Sequence, residues 1–65
     1  MNELVKYDLY RRRNGLLYRV SLHGSLYGPA EFYSASCWVQ SHLTIFGVIT
    51  GSASTLVARN VVFKD

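Results

Sequence analysis

The sequence has almost none of the residues that give small folds a covalent or metal support. Cys37 is the only cysteine, so no disulfide can form within the chain. The remaining soft metal ligands are His23 and His42, and these three residues lack the paired spacing of zinc sites. We therefore expect no metal and no cofactor. Residues 1–65 are expected to form a single domain that depends on good packing or on a partner chain.

Charged residues are missing from the middle of the chain. No Asp, Glu, Lys or Arg occurs between residues 32 and 58. Polar residues interrupt this stretch, and its longest apolar run, residues 45–49, is far shorter than the roughly 20 residues that a transmembrane helix needs. We expect no membrane span. Residues 32–58 are interpreted as buried core that could also pair two copies into a homodimer, since no charge guards an edge strand there.

The chain also lacks the signs of a secreted protein. It has no Asn-X-Ser/Thr sequon, and its first thirteen residues hold no apolar segment typical of a signal peptide. Together with the single cysteine, these absences predict a reducing, cytoplasmic location. An apolar content of 49% excludes a disordered chain.

Groups for acid–base or nucleophilic catalysis are scarce. The sequence has 4 acidic residues, and no two of them have the spacing of an acid–base pair. Cys37 and His42 are five residues apart, which places them on different sides of either a helix or a strand. No glycine-rich phosphate loop is present. We expect no enzymatic activity, and we interpret Cys37 as a buried structural thiol.

What the sequence does have is a basic run beside a turn signal, Arg11-Arg12-Arg13-Asn14-Gly15. Asn-Gly favours a two-residue type I′ turn, because both central residues then need positive φ. It predicts a hairpin with strands at residues 4–13 and 16–24, in which Arg13 pairs with Leu16. Five of the 7 basic residues of the chain fall in its first nineteen positions.

The predicted pairing divides the hairpin into two faces, because alternate residues of a strand point the same way. The apolar face comprises Val5, Tyr7, Leu9, Leu16, Tyr18, Val20 and Leu22. The basic face comprises Lys6, Asp8, Tyr10, Arg12, Leu17, Arg19, Ser21 and His23. On this face Tyr10 would lie across from Arg19 as a cation–π pair. Arg11 and Arg13 alternate onto the other face, where we expect them to extend from the tip or turn outward.

Residues 34–43 fit both a helical stripe and a strand alternation. Their Ser, Cys, Trp, Val and His residues are mediocre helix formers, and the serines interrupt the strand pattern. We favour a short helix at about residues 34–43, with strands at residues 30–33, about 45–50 and 55–63. The predicted class is α+β, a small antiparallel β-sheet with one short helix. The alternative is an all-β, five-stranded SH3-like barrel.

Three strands followed by a helix that carries Trp38 and Val39 are similar to the small sheet-plus-helix DNA-binding domains of the AP2 and integrase arm-binding type. The resemblance covers at most residues 4–43, and it rests on the strand alternation and on Trp38-Val39 rather than on a specific motif. It implies a DNA-binding fold and assigns a role to no individual residue.

These observations predict a small non-catalytic protein that binds nucleic acid through a basic β-ribbon. A two-stranded ribbon fits the major groove of DNA, and arginine forms paired hydrogen bonds with guanine. The predicted nucleic-acid or partner-binding residues are Lys6, Tyr10, Arg11, Arg12, Arg13, Arg19 and His23.

The alternative function is a protein-binding inhibitor or adaptor of a host protein. It would use exposed aromatic residues such as Tyr10 and Tyr27, with the arginines docked on an acidic partner. The small size suggests an accessory protein of the kind that phages and mobile elements encode.

Overall fold

The structure, a computed structural model, describes residues 5–21 and 23–63. Within these ranges the chain forms one antiparallel sheet of five strands and one short helix. In chain order the elements are β1 (Val5–Arg12), β2 (Leu17–Ser21), β3 (Pro29–Ser34), β4 (Cys37–Thr44), α1 (Ile45–Thr50) and β5 (Ser54–Phe63). The strand order is β4-β3-β2-β1-β5. The α+β prediction is confirmed, and the sheet is open rather than a closed SH3-like barrel.

The first hairpin and the last strand are confirmed in outline. β1 and β2 lie within the predicted strands at residues 4–13 and 16–24, and β5 corresponds to the strand predicted at residues 55–63. Residues 4 and 22 of the predicted strands lie outside the described residues. The short strand predicted at residues 30–33 is part of β3.

The turn of the first hairpin is one residue longer than predicted. The Gly15 N–H donates to the Arg12 carbonyl at 2.9 Å, and the Arg12 N–H donates to the Leu16 carbonyl at 3.2 Å. Gly15 has a φ of 87°, so a type I turn is followed by a left-handed glycine in a three-residue loop. The Asn14 side chain supports this longer loop, since its Oδ1 accepts a hydrogen bond from the Leu16 N–H at 2.9 Å. The predicted two-residue loop is therefore wrong.

The longer loop shifts the pairing of β1 and β2 by one residue. Arg11 pairs with Leu17 and Tyr10 with Tyr18, whereas a two-residue loop would pair Arg11 with Tyr18. Because side chains alternate along a strand, a shift of one residue moves those of one strand to the other face. Tyr10 and Arg19 therefore lie on opposite faces, and the predicted pair between them is wrong. The predicted basic face of Lys6, Tyr10, Arg12, Arg19 and His23 is not one surface.

The helix predicted at residues 34–43 is wrong, because Cys37–Thr44 pairs with β3 as strand β4. The two strands are joined by Ala35 and Ser36, whose φ values are 50° and 67°. Positive φ at both central residues is the type I′ geometry of a two-residue hairpin. The turn contains neither glycine nor asparagine, so the sequence carries no signal for it.

The strand predicted at residues 45–50 is also wrong, since α1 occupies this range. Thr44 is its N-cap, and the Thr44 Oγ1 accepts a hydrogen bond from the Gly47 N–H at 3.0 Å. Ile45 and Val48 are buried on one side of the helix. A short apolar run does not distinguish a buried strand from a helix. In the described part of the chain, no helix is long and apolar enough to cross a membrane.

This arrangement differs from the AP2 and integrase arm-binding pattern. The helix follows four strands instead of three, and Trp38 lies on β4 instead of the helix. The fold therefore does not support the resemblance.

The hydrophobic core lies between α1 and one face of the sheet. Its buried residues are Tyr18, Val20, Ala30, Ile45 and Val48, and Tyr10, Phe32 and Leu43 pack against them. The core strands β2 and β3 occupy the middle of the sheet. Burial of this cluster orients the sheet, because it commits Tyr10 and Tyr18 to the helix side.

The opposite face closes around Arg19, which is only 5% exposed. Trp38 and Phe63 lie on the two edge strands, yet their ring centroids are 5.6 Å apart. Four strand spacings of a flat sheet would separate them by about 19 Å. The sheet is therefore strongly coiled, and its edges approach one another on this face without pairing.

Candidate functional site

Three turns meet at one end of the sheet. The hairpin tip at residues 13–15 joins β1 to β2, and the Ala35-Ser36 turn joins β3 to β4 at the same end. β5 begins there as well, since Ser54 pairs with Arg12. The loop at residues 51–53 that precedes β5 therefore lies against the hairpin tip, although about forty positions separate them along the chain.

A cleft of about 500 Å³ lies between the tip and this loop. We call it the arginine cleft. The residues that line it are Arg11, Arg12, Arg13, Ser52, Ala53, Thr55 and Val57. Three consecutive arginines and two residues with hydroxyl groups thus line one open, concave surface, and none of its lining residues is acidic.

Arg12 is the half-buried arginine of the cleft, and its side chain is held in place. Its Nη1 donates a hydrogen bond to the Ser54 Oγ at 2.7 Å. Its guanidinium lies over the Tyr18 ring, 5.9 Å from the centroid. Gly51 is close as well, since a Cβ at that position would lie 2.9 Å from the Arg12 Nη1. The Arg12 guanidinium is therefore fixed by contacts with residues that adjoin the cleft but do not line it.

Arg11 and Arg13 are exposed at the rim of the cleft. The Arg11 Nη1 donates to the Gly15 carbonyl at 2.9 Å, which draws this side chain back over the turn. The turn itself is tied down, since the Asn14 Nδ2 donates to the Tyr18 Oη at 3.1 Å. A guanidinium has five N–H donors, so Arg11 keeps several for a ligand.

The acidic residues that the structure describes, Asp8 and Glu31, are occupied elsewhere. Asp8 Oδ1 accepts a hydrogen bond from the Asn60 N–H at 3.1 Å. The Glu31 Oε1 lies 2.7 Å from the Arg19 Nε, so Glu31 forms an ion pair with Arg19. No described carboxylate thus offsets the three positive charges of the arginine cleft.

The structure brings only three of the predicted binding residues together, Arg11, Arg12 and Arg13. Lys6 is exposed at the opposite end of β1, and His23 is exposed in the connection after β2, also at the far end. Tyr10 packs against the core, and Arg19 is buried among aromatic rings.

Sequence reasoning missed the other wall of the cleft, formed by Ser52, Ala53, Thr55 and Val57. No local pattern marks these residues. Only the pairing of β5 with β1 brings them beside the arginines. This pairing joins distant parts of the chain, so no local sequence signal indicates it.

Cys37 is exposed at the start of β4, so its interpretation as a buried thiol is wrong. Its Sγ donates a hydrogen bond to the Ser34 carbonyl at 3.4 Å. Among the described residues, no group of three or more His, Cys, Asp and Glu side chains could hold a metal ion.

No protein family, curated protein or solved structure matches this chain. The arrangement of its own side chains is therefore what supports a function.

Proposed function

We propose that this protein is a non-catalytic nucleic-acid-binding protein that holds phosphate groups in the arginine cleft. The observation that carries the proposal is that Arg11, Arg12 and Arg13 all line one concave surface, which no described carboxylate lines. Guanidinium groups form two parallel hydrogen bonds with phosphate oxygens, and this geometry favours arginine over lysine at phosphate sites. The cleft replaces the ribbon face as the binding surface.

The three arginines differ in how firmly they are held, and this suggests a division of work. Arg12 is fixed by Ser54 and Tyr18, so it supplies a charge whose position costs little side-chain entropy on binding. Arg11 and Arg13 are exposed and can close on a phosphate from the rim. The hydroxyl groups of Ser52 and Thr55 add neutral donors of the kind that commonly contact phosphate.

Salt dependence gives the first measurement. A complex that neutralises three phosphates loses affinity with a slope of about −2 to −3 in a plot of log affinity against log salt. Fluorescence anisotropy of labelled oligonucleotides, from about 50 to about 200 mM salt, measures this slope directly. If no oligonucleotide binds even at the lowest salt, the proposal is wrong.

Two variants with the same loss of charge separate the cleft from general basicity. R11A/R13A removes the two exposed arginines of the cleft, and K6A/R59A removes two exposed cations that do not line it. We expect R11A/R13A to weaken binding by more than about 10-fold and to reduce the salt slope by about two. K6A/R59A should keep most of the affinity. Equal losses in the two variants would contradict a role for the cleft.

A second candidate function is protein binding at the opposite end of the sheet. Tyr27 is 81% exposed, and its ring lies 6.5 Å from that of the exposed Phe46. Leu26 beside them is exposed as well. Tyrosine is enriched among the residues that dominate protein interfaces. Tyr27 is thus the residue that favours the inhibitor or adaptor hypothesis, whereas Tyr10 is committed to the core.

The second candidate is tested with nuclease-treated lysate, using the wild-type protein and the Y27A variant as bait. A protein partner that is retained by the wild type and lost with Y27A supports it. Retention that disappears with the nucleic acid supports the first candidate. Pairing of two copies through residues 32–58 remains a prediction, and light scattering of the purified protein tests it.

A further inference from the structure

We infer that the nucleic acid is single-stranded and that one of its unpaired bases stacks on Tyr33. The inference rests on the proposed function, because it takes the phosphate contacts of the arginine cleft as given. It adds a second contact on the same end of the sheet and names the class of nucleic acid.

The strand register places Tyr33 in line with Arg11. Arg11 pairs with Leu17, and Tyr18 pairs with Phe32. Since Tyr18 and Phe32 both lie on the core side of the sheet, their strand neighbours Leu17 and Tyr33 both lie on the opposite side. Residues in register point to the same face, so Arg11 and Tyr33 project from one face, on the two strands that flank β2.

Tyr33 is exposed, and its ring packs against that of Trp38. It is 45% exposed, and its ring centroid lies 5.1 Å from that of Trp38 in an edge-to-face arrangement. Trp38 is itself held by the guanidinium of Arg19, 4.6 Å from its ring centroid. A ring positioned in this way can accept a base without first being ordered.

The charge of this face suits a polyanion. Glu31, the acidic residue that the described part of the chain places on this face, is paired with Arg19 at 2.7 Å. Arg11 and Arg13 are exposed at the same end. A nucleic-acid strand that extends from the arginine cleft to Tyr33 would thus meet no unpaired carboxylate among the described residues of this face.

Base stacking distinguishes single strands from duplexes. In a duplex the bases are stacked on one another, so a protein ring can take a base only by unstacking it. In a single strand the bases are available, and stacking on an aromatic side chain is tolerant of sequence. A duplex could use the arginines of the cleft but could not use Tyr33.

The test compares three labelled probes of about 15 units: an oligo(dT) strand, an oligo(U) strand and a DNA duplex. We expect either single strand to bind more tightly than the duplex. Replacing Tyr33 by leucine keeps an apolar contact with Trp38 but removes the aromatic ring. Y33L should weaken single-strand binding by about 5- to 100-fold and leave duplex binding unchanged. Y33F should keep the affinity.

Y27A is the matched control, since it removes an exposed tyrosine at the other end of the sheet. Trp38 provides an internal reporter, because it is the only tryptophan and its ring adjoins Tyr33. Its emission should change when a single strand binds to the wild type, and much less in Y33L. Circular dichroism of each variant verifies that it is folded.

The outcomes separate this inference from the proposed function. If single strand and duplex bind equally and Y33L behaves like Y27A, the inference is wrong while the arginine cleft stands. If no probe binds, both are wrong. If Y33L abolishes the capture of a protein partner without affecting oligonucleotide binding, the exposed ring belongs to a protein interface and the inference is overturned.

Discussion

The guanidinium of Arg19 lies 4.6 Å from the ring centroid of Trp38, and so joins the central strand β2 to the edge strand β4. The same group lies over the rings of Tyr7, on β1, and Phe63, on β5, at 4.2 and 4.8 Å. Its ion pair with Glu31 adds β3. One buried arginine on β2 thus contacts a residue from each of the other four strands. These contacts occur on the face toward which the sheet is strongly coiled.

Replacement of Arg19 by leucine is expected to destabilise the protein. The change removes three cation–π contacts of a buried side chain. It also leaves Glu31, whose side chain is 31% exposed, without its partner. We expect the free energy of unfolding to fall by about 1.5–3 kcal/mol, measured by urea denaturation with Trp38 fluorescence.

The control for Arg19 is R59L, since Arg59 is exposed on β5. A change at an exposed site usually alters stability by less than about 0.5 kcal/mol. Equal effects of R19L and R59L would show that the contacts of Arg19 do not stabilise the sheet.

The turn between β3 and β4 offers a stabilising change. Ala35 and Ser36 adopt positive φ values of 50° and 67°, which cost residues with a Cβ about 1–2 kcal/mol each. Asparagine and glycine tolerate this conformation better. The double variant A35N/S36G should therefore unfold at a temperature several degrees higher.

Calorimetry measures the effect of the turn variant, and a gain of about 1 kcal/mol corresponds to roughly 4–8 °C for a domain of this size. The control is S52G, because Ser52 is not among the described residues with positive φ. There a new glycine adds only chain entropy to the unfolded state. A turn variant that unfolds at or below the wild-type temperature would contradict the strain argument.

Gly51 is expected to be intolerant of any side chain. A Cβ there would lie 2.8 Å from the Gly47 carbonyl oxygen and 2.9 Å from the Arg12 Nη1. Since Gly51 has an ordinary φ of −70°, the requirement is for space and not for conformation. G51A must relieve both contacts, by a shift of residue 51 or of its two neighbours, and we expect a loss of about 1–3 kcal/mol of stability.

Oligonucleotide binding shows whether Arg12 moves in G51A. If Arg12 is displaced, affinity falls as well, although the substituted residue does not line the cleft. G24A is the comparison, since a Cβ at Gly24 would have only ordinary contacts, the nearest at 3.8 Å. A G51A protein with the stability and affinity of G24A would argue against this close approach.

The thiol of Cys37 should react readily in the folded protein. It is exposed, and its Sγ makes only a long hydrogen bond of 3.4 Å to the Ser34 carbonyl. A colorimetric thiol reagent at neutral pH should label the native protein nearly as fast as the urea-unfolded protein. Labelling that requires unfolding would show that the thiol is covered in solution, as it would be in a dimer through β4.

The sequence predicted most of the elements but not where the helix falls. Residues 34–43 gave ambiguous local signals, because their turn at Ala35-Ser36 uses residues that do not normally favour it. At residues 45–50 the apolar run suited a buried strand equally well, and the Thr44 cap decides for the helix. These choices depend on the pairing of β4 with β3, which no local pattern records.

For the site, the three arginines and the nearby turn were apparent from the sequence. Their surroundings were not, because a single residue of loop length decides which face each side chain occupies. The predicted loop assigned Arg19 to an exposed basic face, whereas the observed loop places it at the centre of an aromatic cluster.

What the sequence determined by itself is local: the hairpin at Asn14-Gly15, the last strand, the α+β class and the concentration of positive charge at the tip. The tertiary structure decided the register, the position of the helix and the far wall of the arginine cleft. The physical reason is the range of the forces involved. Turn and strand preferences act between neighbouring residues, whereas the register depends on which side chains can be buried together. In this chain the burial of Tyr18 and Val20 under α1, and of Arg19 on the other face, selects the pairing that brings β5 beside the arginines.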